Sequence, residues 1–340
     1  MKKILRLVLI TVALFAIYFA WLFFAPASAY NGNNPYLYIR TGNTSKEAVL
    51  QSLKDSSLIN HIGAFEWLGN RFNIWENIRP GKFEISNNES VFSLARKLRN
   101  NSQQQVNLTI TKLRTKSDFA QLAGRKFETN AESFLAFLNS PDSVKHFGLD
   151  TNTIMTLIIP DTYSYYWSTS PKRILQKLQQ QHQKFWTAER KNKAMALGLT
   201  PEQVYVLASI VEEETLRSDE KPIISSVYLN RLKKGMYLGA DPTVKFAVGD
   251  FTLKRIYFGH INSTASNPYN TYKNKGLPPG PICTPQAVTI DAVLNTKPTN
   301  YLFFCAKPNG NGYHAFADNE TDHFKNAKAY QDWLNQNKIQ

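Results

Sequence analysis

Apolar and charged positions separate most sharply at the start of the chain. Lys2, Lys3 and Arg6 precede a run from Leu7 to Ala25 that carries no charge. A helix that crosses a bilayer needs about 20 such residues, whereas the apolar core of a signal peptide is usually about 7–15. Length therefore predicts a retained anchor over residues 1–29, although Ala27-Ser28-Ala29 also fits a small-x-small cleavage signal. Both readings leave the basic flank in the cytoplasm and export the chain beyond residue 30.

After a polar stretch, Tyr30-Asn31-Gly32-Asn33-Asn34-Pro35, short patterned segments alternate. Tyr36–Ile39 reads as a strand, Val49, Leu50, Leu53 and Leu58 recur at helical spacing, and Phe65, Trp67, Leu68 and Phe72 suggest a second helix. Arg79-Pro80-Gly81 is a turn, Lys82–Ile85 alternates as a strand, and Ser90 caps a helix carrying Phe92, Leu94, Ala95 and Leu98. Val106–Ile110 alternates again. The pattern predicts a small α+β module over residues 30–112. From 113 to 340 it predicts a larger mixed α+β domain, including one long Gln- and Lys-rich helix from Pro171 to about Leu197 and an apolar strand over Tyr301–Cys305.

The strongest single helix signal begins at Thr200-Pro201-Glu202-Gln203, with Thr as N-cap, Pro in the first turn and Gln in capping-box position. At about 100° per residue, Val204, Leu207, Ala208 and Val211 form an apolar stripe. Three acids come next. Glu213 is predicted to point away from the stripe into water, while Glu212 and Glu214 fall at its two margins. A carboxylate at such a margin can face a cleft, where desolvation raises its pKa and suits it to general-acid work. An ordinary solvated charge run is the competing reading.

Charge narrows the partners. Forty Lys+Arg against 26 Asp+Glu leave a net charge of +14, yet only 19% of residues are charged, and hydrophobic residues make up 43%. That excludes a wholly disordered chain and suits nucleic acid, anionic lipid or anionic polysaccharide. Export argues against nucleic acid. Cys283 and Cys305 are too few for a disulfide scaffold, and their spacing leaves a bridge and two free thiols equally open. His314 and His323 lack a well-spaced third ligand, so no metal and no cofactor is expected. The loop Asn267-Pro268-Tyr269-Asn270-Thr271-Tyr272 is dense in aromatic and amide groups suited to sugars, and Gly276–Ile282 is a rigid turn able to wall a groove.

Several of these segments, in this order, resemble the endolytic peptidoglycan transglycosylases of the YceG-like (MltG) family. They are Pro160–Tyr163, Ala208–Thr215, Val227–Leu232, Gly235-Met236, Asp241–Val244, Tyr269–Tyr272, Gly276–Gly280, and Tyr301–Phe304 with His314 and Phe316. The resemblance implies a single-pass inner-membrane protein with a LysM-like module and a catalytic domain outside the cytoplasmic membrane. It implies cleavage of nascent glycan strands between N-acetylmuramic acid and N-acetylglucosamine, leaving 1,6-anhydro ends and terminating elongation. Glu214 falls on the family's catalytic acid and Glu212 on the first member of its Glu-x-Glu pair. Tyr269, Asn270, Tyr272, Asp241, Thr243, Asn230 and His314 are the expected substrate-binding residues. Peptidoglycan strands, the inner membrane and peptidoglycan synthases (penicillin-binding proteins) are the implied partners. Relatives often carry Lys where this chain has Glu213, whose extra negative charge is expected to raise its neighbours' pKa slightly. A muramidase and a non-catalytic wall-binding protein remain as alternatives.

Overall fold

The computed structural model describes residues 1–29, 35–308 and 311–337. Most of the expected polar stretch at 30–35 lies outside the described residues. The chain is a mixed α+β protein that divides into two compact units. One comprises Met1–Leu108 with Gly124–Asn130 and Tyr163–Ser170; the other comprises Thr109–Ala123, Ala131–Thr162 and Pro171–Gln340.

The first unit opens with α1 (Lys2–Phe24), whose side chains are almost all exposed. Among the described residues it is the one helix that alone is long and apolar enough to cross a membrane. Strands β1 (Tyr36–Ile39) and β2 (Gly81–Glu84) pair antiparallel, with Leu37 opposite Phe83 and Ile39 opposite Gly81. Alternation turns Leu37, Ile39 and Phe83 inward, where they are buried. Helices α2 (Lys46–Asp55), α3 (Ile62–Arg71) and α4 (Val91–Arg99) cover them. Ser45 and Ser90 cap α2 and α4 by accepting from the backbone N–H three residues on. Val91, Leu94, Ala95 and Leu98 place one stripe of α4 in the core. Strand β3 (Gln105–Thr109) pairs with β4 (Thr162–Tyr166) on the chain's return. In β4 Tyr163 and Tyr165 alternate into the core, a strand not among those expected.

Residues Pro26–Ala29 are structural parts of this unit. Pro26 bridges Ser90 and Ser28 bridges Ile59. The N–H groups of Ala27 and Ser28 donate to the Glu89 carbonyl, that of Ala29 donates to Leu58, and the Ala27 carbonyl accepts from Asn60. Ala27 has no exposed surface at all.

The second unit begins with α5 (Lys116–Gly124), α6 (Ala131–Asn139) and α7 (Pro141–Val144). The expected single helix over 171–197 is in fact two, α8 (Pro171–Phe185) and α9 (Ala188–Ala196). Thr187 ends one and caps the other, its hydroxyl accepting from the Arg190 N–H. Helix α10 (Pro201–Glu214) then turns 77° away from α9. Gly198, in the left-handed region at φ 73°, ends α9, and the expected capping box starts α10 with both Thr200–Gln203 bonds formed. Helices α11 (Lys221–Lys233), α12 (Asp241–Val248) and α14 (Ala287–Leu294) pack around α10, while α13 (Phe258–Ser263) packs on α12. Antiparallel β5 (Phe303–Ala306) and β6 (His314–Ala317) and the final helix α15 (Glu320–Gln336) complete the unit. The predicted strand at Tyr301 thus starts two residues later.

The contribution of Pro26–Ala29 is measurable. Compared with a chain beginning at Pro26, one beginning at Tyr30 loses four backbone hydrogen bonds, at about 0.5–1.5 kcal/mol each. Differential scanning calorimetry should place its unfolding lower by about 10 °C or more. Equal melting temperatures would show that the segment contributes nothing.

Candidate active site

Sequence periodicity predicts one buried stripe on α10, but every residue from Val204 to Glu212 is buried. Helices on several sides cover it, so it forms the centre of the core. Its C-terminal end therefore carries three adjacent carboxylates into or beside a packed interior, where an uncompensated charge is costly. Each acid meets a different solution.

Glu212 forms an ion pair with Lys221 of α11 at 2.8 Å, and both side chains are about nine-tenths buried. The Thr289 hydroxyl of α14 donates to the same carboxylate, and the Lys221 Nζ donates to that hydroxyl at 2.6 Å. This joins α10, α11 and α14 through one buried polar cluster. Glu213 does not point into water as its helical angle suggests. Lys112 and Arg114 reach it at 2.7 and 3.3 Å, leaving its side chain 17% exposed. Burial alone would raise its pKa, but these two cations outweigh burial and hold the carboxyl below its usual range. Glu213 is not among the groups that shift Glu214, though it adds to the rise that burial gives the Cys283 thiol.

Glu214 has no cation in contact among the described ion pairs. It accepts a hydrogen bond from the Tyr228 hydroxyl at 2.5 Å. Burial pushes its pKa up to about 7, with Asp241 adding to the rise, while the Tyr228 hydrogen bond and the more distant Lys245 and Arg231 oppose it. Part of its surface stays open to solvent. Burial and the neighbouring Glu214 drive the Tyr228 phenol far above its ordinary value, so it remains a neutral donor. Asp241, first residue of α12, accepts from the Tyr272 hydroxyl at 2.6 Å. The Arg231 guanidinium donates to the Leu302 and Leu238 carbonyls, each at 2.6 Å, which ties α11 to the loop before α12 and to the start of β5.

The other expected binding residues fall into two groups. Tyr272 and Asp241 are grouped electrostatically with Glu214. Asn270 is fully buried and its amide donates to the Ile261 carbonyl and to Thr264. Thr243 is likewise buried, its hydroxyl sharing a 2.8 Å hydrogen bond with Thr271. Tyr269 packs on Phe246 with ring centroids 4.6 Å apart, and burial moves its phenol up to about 12. Asn230 donates to the Thr299 and Tyr301 carbonyls. His314 contacts the buried Glu220 carboxylate through Nδ1 and its backbone N–H, both at 2.8 Å. It reaches Tyr228 only through Phe304, which meets both rings edge-on. The rigid turn at 276–282 docks on α10, where the Ser209 hydroxyl accepts from the Ile282 N–H at 3.0 Å. Gly280 is required there, since a Cβ would come within 2.2 Å of the Asn152 carbonyl oxygen.

Sequence reasoning passed over Tyr228, Arg231, Lys221, Lys112 and Arg114 as members of the site. Tyr228 and Arg231 stand three apart on one helix, a spacing that brings side chains to neighbouring positions, and this was the available signal. Nothing local marks Lys112 and Arg114, which are about a hundred residues from Glu213. Among the described residues no cluster of His, Cys, Asp or Glu is arranged to hold a metal ion. Cys283 is a buried free thiol and Cys305 a partly buried one.

Carbon-13 NMR of the Glu214 carboxyl should titrate near pH 7, lower in Asp241→Asn and higher in Tyr228→Phe. An unshifted midpoint in both variants would remove the roles given to these neighbours. The folded state also holds this proton between the ordinary value of 4.5 and about 7, whereas the unfolded chain has lost it. Stability from this group is thus present at low pH and falls as pH rises through that window. After discounting for partial solvent screening, Glu214→Gln should be more stable relative to wild type at pH 8 than at pH 4 by about 1–3 kcal/mol. Urea unfolding at the two pH values measures this.

An endolytic murein transglycosylase of Bacillus subtilis is 42% identical over 108 residues, covering 32% of this chain and 29% of the relative. One from Streptococcus pneumoniae serotype 2 is 23% identical over 330 residues, covering 86% of this chain and 58% of the relative. The chain thus spans well under two thirds of the length of either. A YceG-like protein from Listeria monocytogenes shares the fold with a TM-score of 0.56 at 23% identity, over 85% of this chain and 97% of that one. The sequence profile of the YceG-like family matches residues 37–329. The chain belongs to the YceG-like family.

Proposed function

We propose that this protein is an endolytic lytic transglycosylase that cuts peptidoglycan glycan strands between N-acetylmuramic acid and N-acetylglucosamine. The observation that carries the reading is the division among the three acids. Glu212 and Glu213 each contact cations, and Glu214, which contacts none among the described ion pairs, is the one whose burial favours keeping a proton near neutral pH.

Protonated Glu214 donates to the glycosidic oxygen as the bond to muramyl C1 breaks. The resulting carboxylate takes the proton from the muramyl C6 hydroxyl, whose oxygen closes on C1. The product is a 1,6-anhydromuramyl end; no water is consumed, and the acid regains its proton. One group serves as acid and then as base, which a pKa near the working pH favours in both directions. A glycosidase working through a carboxylate nucleophile needs a second acid about 5–5.5 Å away. Here the neighbouring acids of α10 are engaged with Lys221, Lys112 and Arg114, and Asp241 is engaged with Tyr272. Tyr228 orients the Glu214 carboxyl and stabilises the anion formed after proton donation. Asp241 and Tyr272 line the sugar site with Tyr269, while Asn270 and Thr243 hold the loop that presents them. Glu212 acts by positioning α10, and Asn230 and His314 support β5 and β6 behind Tyr228.

In this proposal α1 is a single-pass anchor in the cytoplasmic membrane, and both compact units lie on its outer side. The orientation follows from Lys2, Lys3 and Arg6 before the span. The first unit acts as a LysM-like glycan-binding module, and the names of the relatives support peptidoglycan as substrate. Strand cutting beside the membrane would place the enzyme with the synthases that extend those strands and would end their elongation.

The experiment is incubation of the full chain in detergent with uncrosslinked glycan strands, then mass spectrometry of the ends. Anhydro ends are expected, and Glu214→Gln should lower their formation by about 10²–10⁴-fold. Reducing ends would identify a muramidase; binding without cleavage would identify a wall-binding protein. The rate should fall as pH rises through about 7, because the proton to be donated is lost there.

A further inference from the structure

We propose that the face of the first unit surrounding the end of α1 is a second membrane contact, seated in the headgroup layer of a bilayer containing acidic phospholipid. This rests on the reading of α1 as a membrane span. It concerns different residues from the active site and a different partner from the glycan.

No tether separates the span from the folded unit. Leu22 and Phe23, in the last turn of α1, pack against the same core that contains the buried Ala27. Trp21 meets His61 edge-on at 5.5 Å, Phe23 stacks on Trp67 at 5.3 Å, and Phe24 lies against Phe92 at 5.0 Å. Only Ala25 separates the helix from Pro26, which already bridges Ser90 of the module. A residue advances the chain by at most about 3.6 Å. The parts of α3 and α4 touching Trp21–Phe24 therefore lie level with the end of the span. The interfacial layer there is about 5–7 Å deep on each side of the hydrocarbon.

What α3 and α4 present at that level suits lipid. Trp67 is 54% exposed and Phe72 41%, large values for aromatic side chains in a folded unit. Phe72 meets Phe92 edge-on at 6.5 Å, so the aromatic surface runs without a break from α1 through Phe92 to Phe72. A small cleft between Phe72, Ile74, Phe92 and Ala95 is flanked by Arg96 and Arg99. Arg71 stands beside Phe72 at the end of α3. None of these three arginines has an ion pair among the described residues, whereas Lys97, on the same helix, is already paired with Glu89. Tryptophan and phenylalanine at headgroup level, with free arginines at their edge, are the chemistry of an interfacial membrane contact. Each such cation near an acidic leaflet contributes about 1 kcal/mol. A sugar-binding platform would also use an exposed Trp, but it has no reason to be continuous with the apolar surface of the span.

The test uses the full chain labelled with 5-fluorotryptophan in phosphatidylcholine vesicles containing phosphatidylglycerol, with Trp21→Phe and Trp67→Phe to assign the fluorine resonances. Trp67 is exposed enough that its replacement should leave the fold intact. A doxyl label in the lipid chains is expected to broaden both Trp21 and Trp67, and a water-soluble gadolinium chelate to spare both. In vesicles of phosphatidylcholine alone, and in R96Q/R99Q, the lipid-label effect at Trp67 should fall by about half or more while Trp21 is unchanged. Trp67 broadened by gadolinium and untouched by the lipid label, with Trp21 still in lipid, would overturn the proposal while leaving the anchor standing. That outcome would assign the face to glycan or protein. Trp21 untouched by the lipid label would overturn the anchor and this proposal together, and leave the reading of Glu214 unaffected. Equal broadening of Trp67 with and without acidic lipid would overturn the headgroup preference.

Discussion

Desolvation of the C-terminal end of α10 is the constraint that creates the site. A helix buried along nearly its whole length ends in three consecutive carboxylates, at the end where the helix dipole also disfavours negative charge. An acid in that position can recruit a cation or keep its proton. Glu212 and Glu213 take the first course and Glu214 the second. The chemistry thus arises from an inequality among three identical side chains, set by the groups that face each of them.

The surrounding elements are arranged to impose that inequality. On α11, Lys221 and Tyr228 are seven residues apart, nearly two full turns, so they lie on one face; one meets Glu212 and the other Glu214. Asp241 and Lys245, one turn apart at the start of α12, bear on Glu214 with opposite signs. Lys112 and Arg114, two residues apart in the chain, take Glu213 together. Desolvation offsets most of the Coulombic gain of a buried ion pair, so the Glu212–Lys221–Thr289 cluster adds little net stability. Its value lies in fixing the rotation of α10 against α11 and α14, which determines which acid meets Tyr228.

The parts of this arrangement governed by local rules were legible in the sequence. The capping box at Thr200, the cap at Ser90 and the β1 and β2 alternation formed where their residue types called for them. The errors came where tertiary contacts override periodicity. Glu213 has the helical angle of a solvated residue, but Lys112 and Arg114 close over it from far away in the chain. The long helix expected from Pro171 breaks because Thr187 captures a backbone N–H, a choice that competes with continuing the helix. Strand β4 is an exception: Tyr163 and Tyr165 alternate inward, a local signal that went unread. Helical periodicity put Glu212 and Glu214 at equivalent margins, and only the family resemblance singled out Glu214; the physical reason for its separation is in the groups that face it.

The junction between α1 and the first unit carries a further consequence. Ala27-Ser28-Ala29 has the composition of a cleavage signal, yet these residues are a strand-like insert whose backbone is satisfied by Leu58, Glu89 and Asn60. A flexible linker would let a tethered module sample a hemisphere of radius set by linker length. A junction in which the last helical turn is itself packed on the module removes that freedom, and with α1 as the proposed anchor it would fix the module's height above the bilayer. On the proposed function, the first unit then meets glycan only in the layer next to the membrane, where strands are new and uncrosslinked. Selectivity for nascent strands would come from where the module is held, with no need for a pocket that distinguishes new polymer from old.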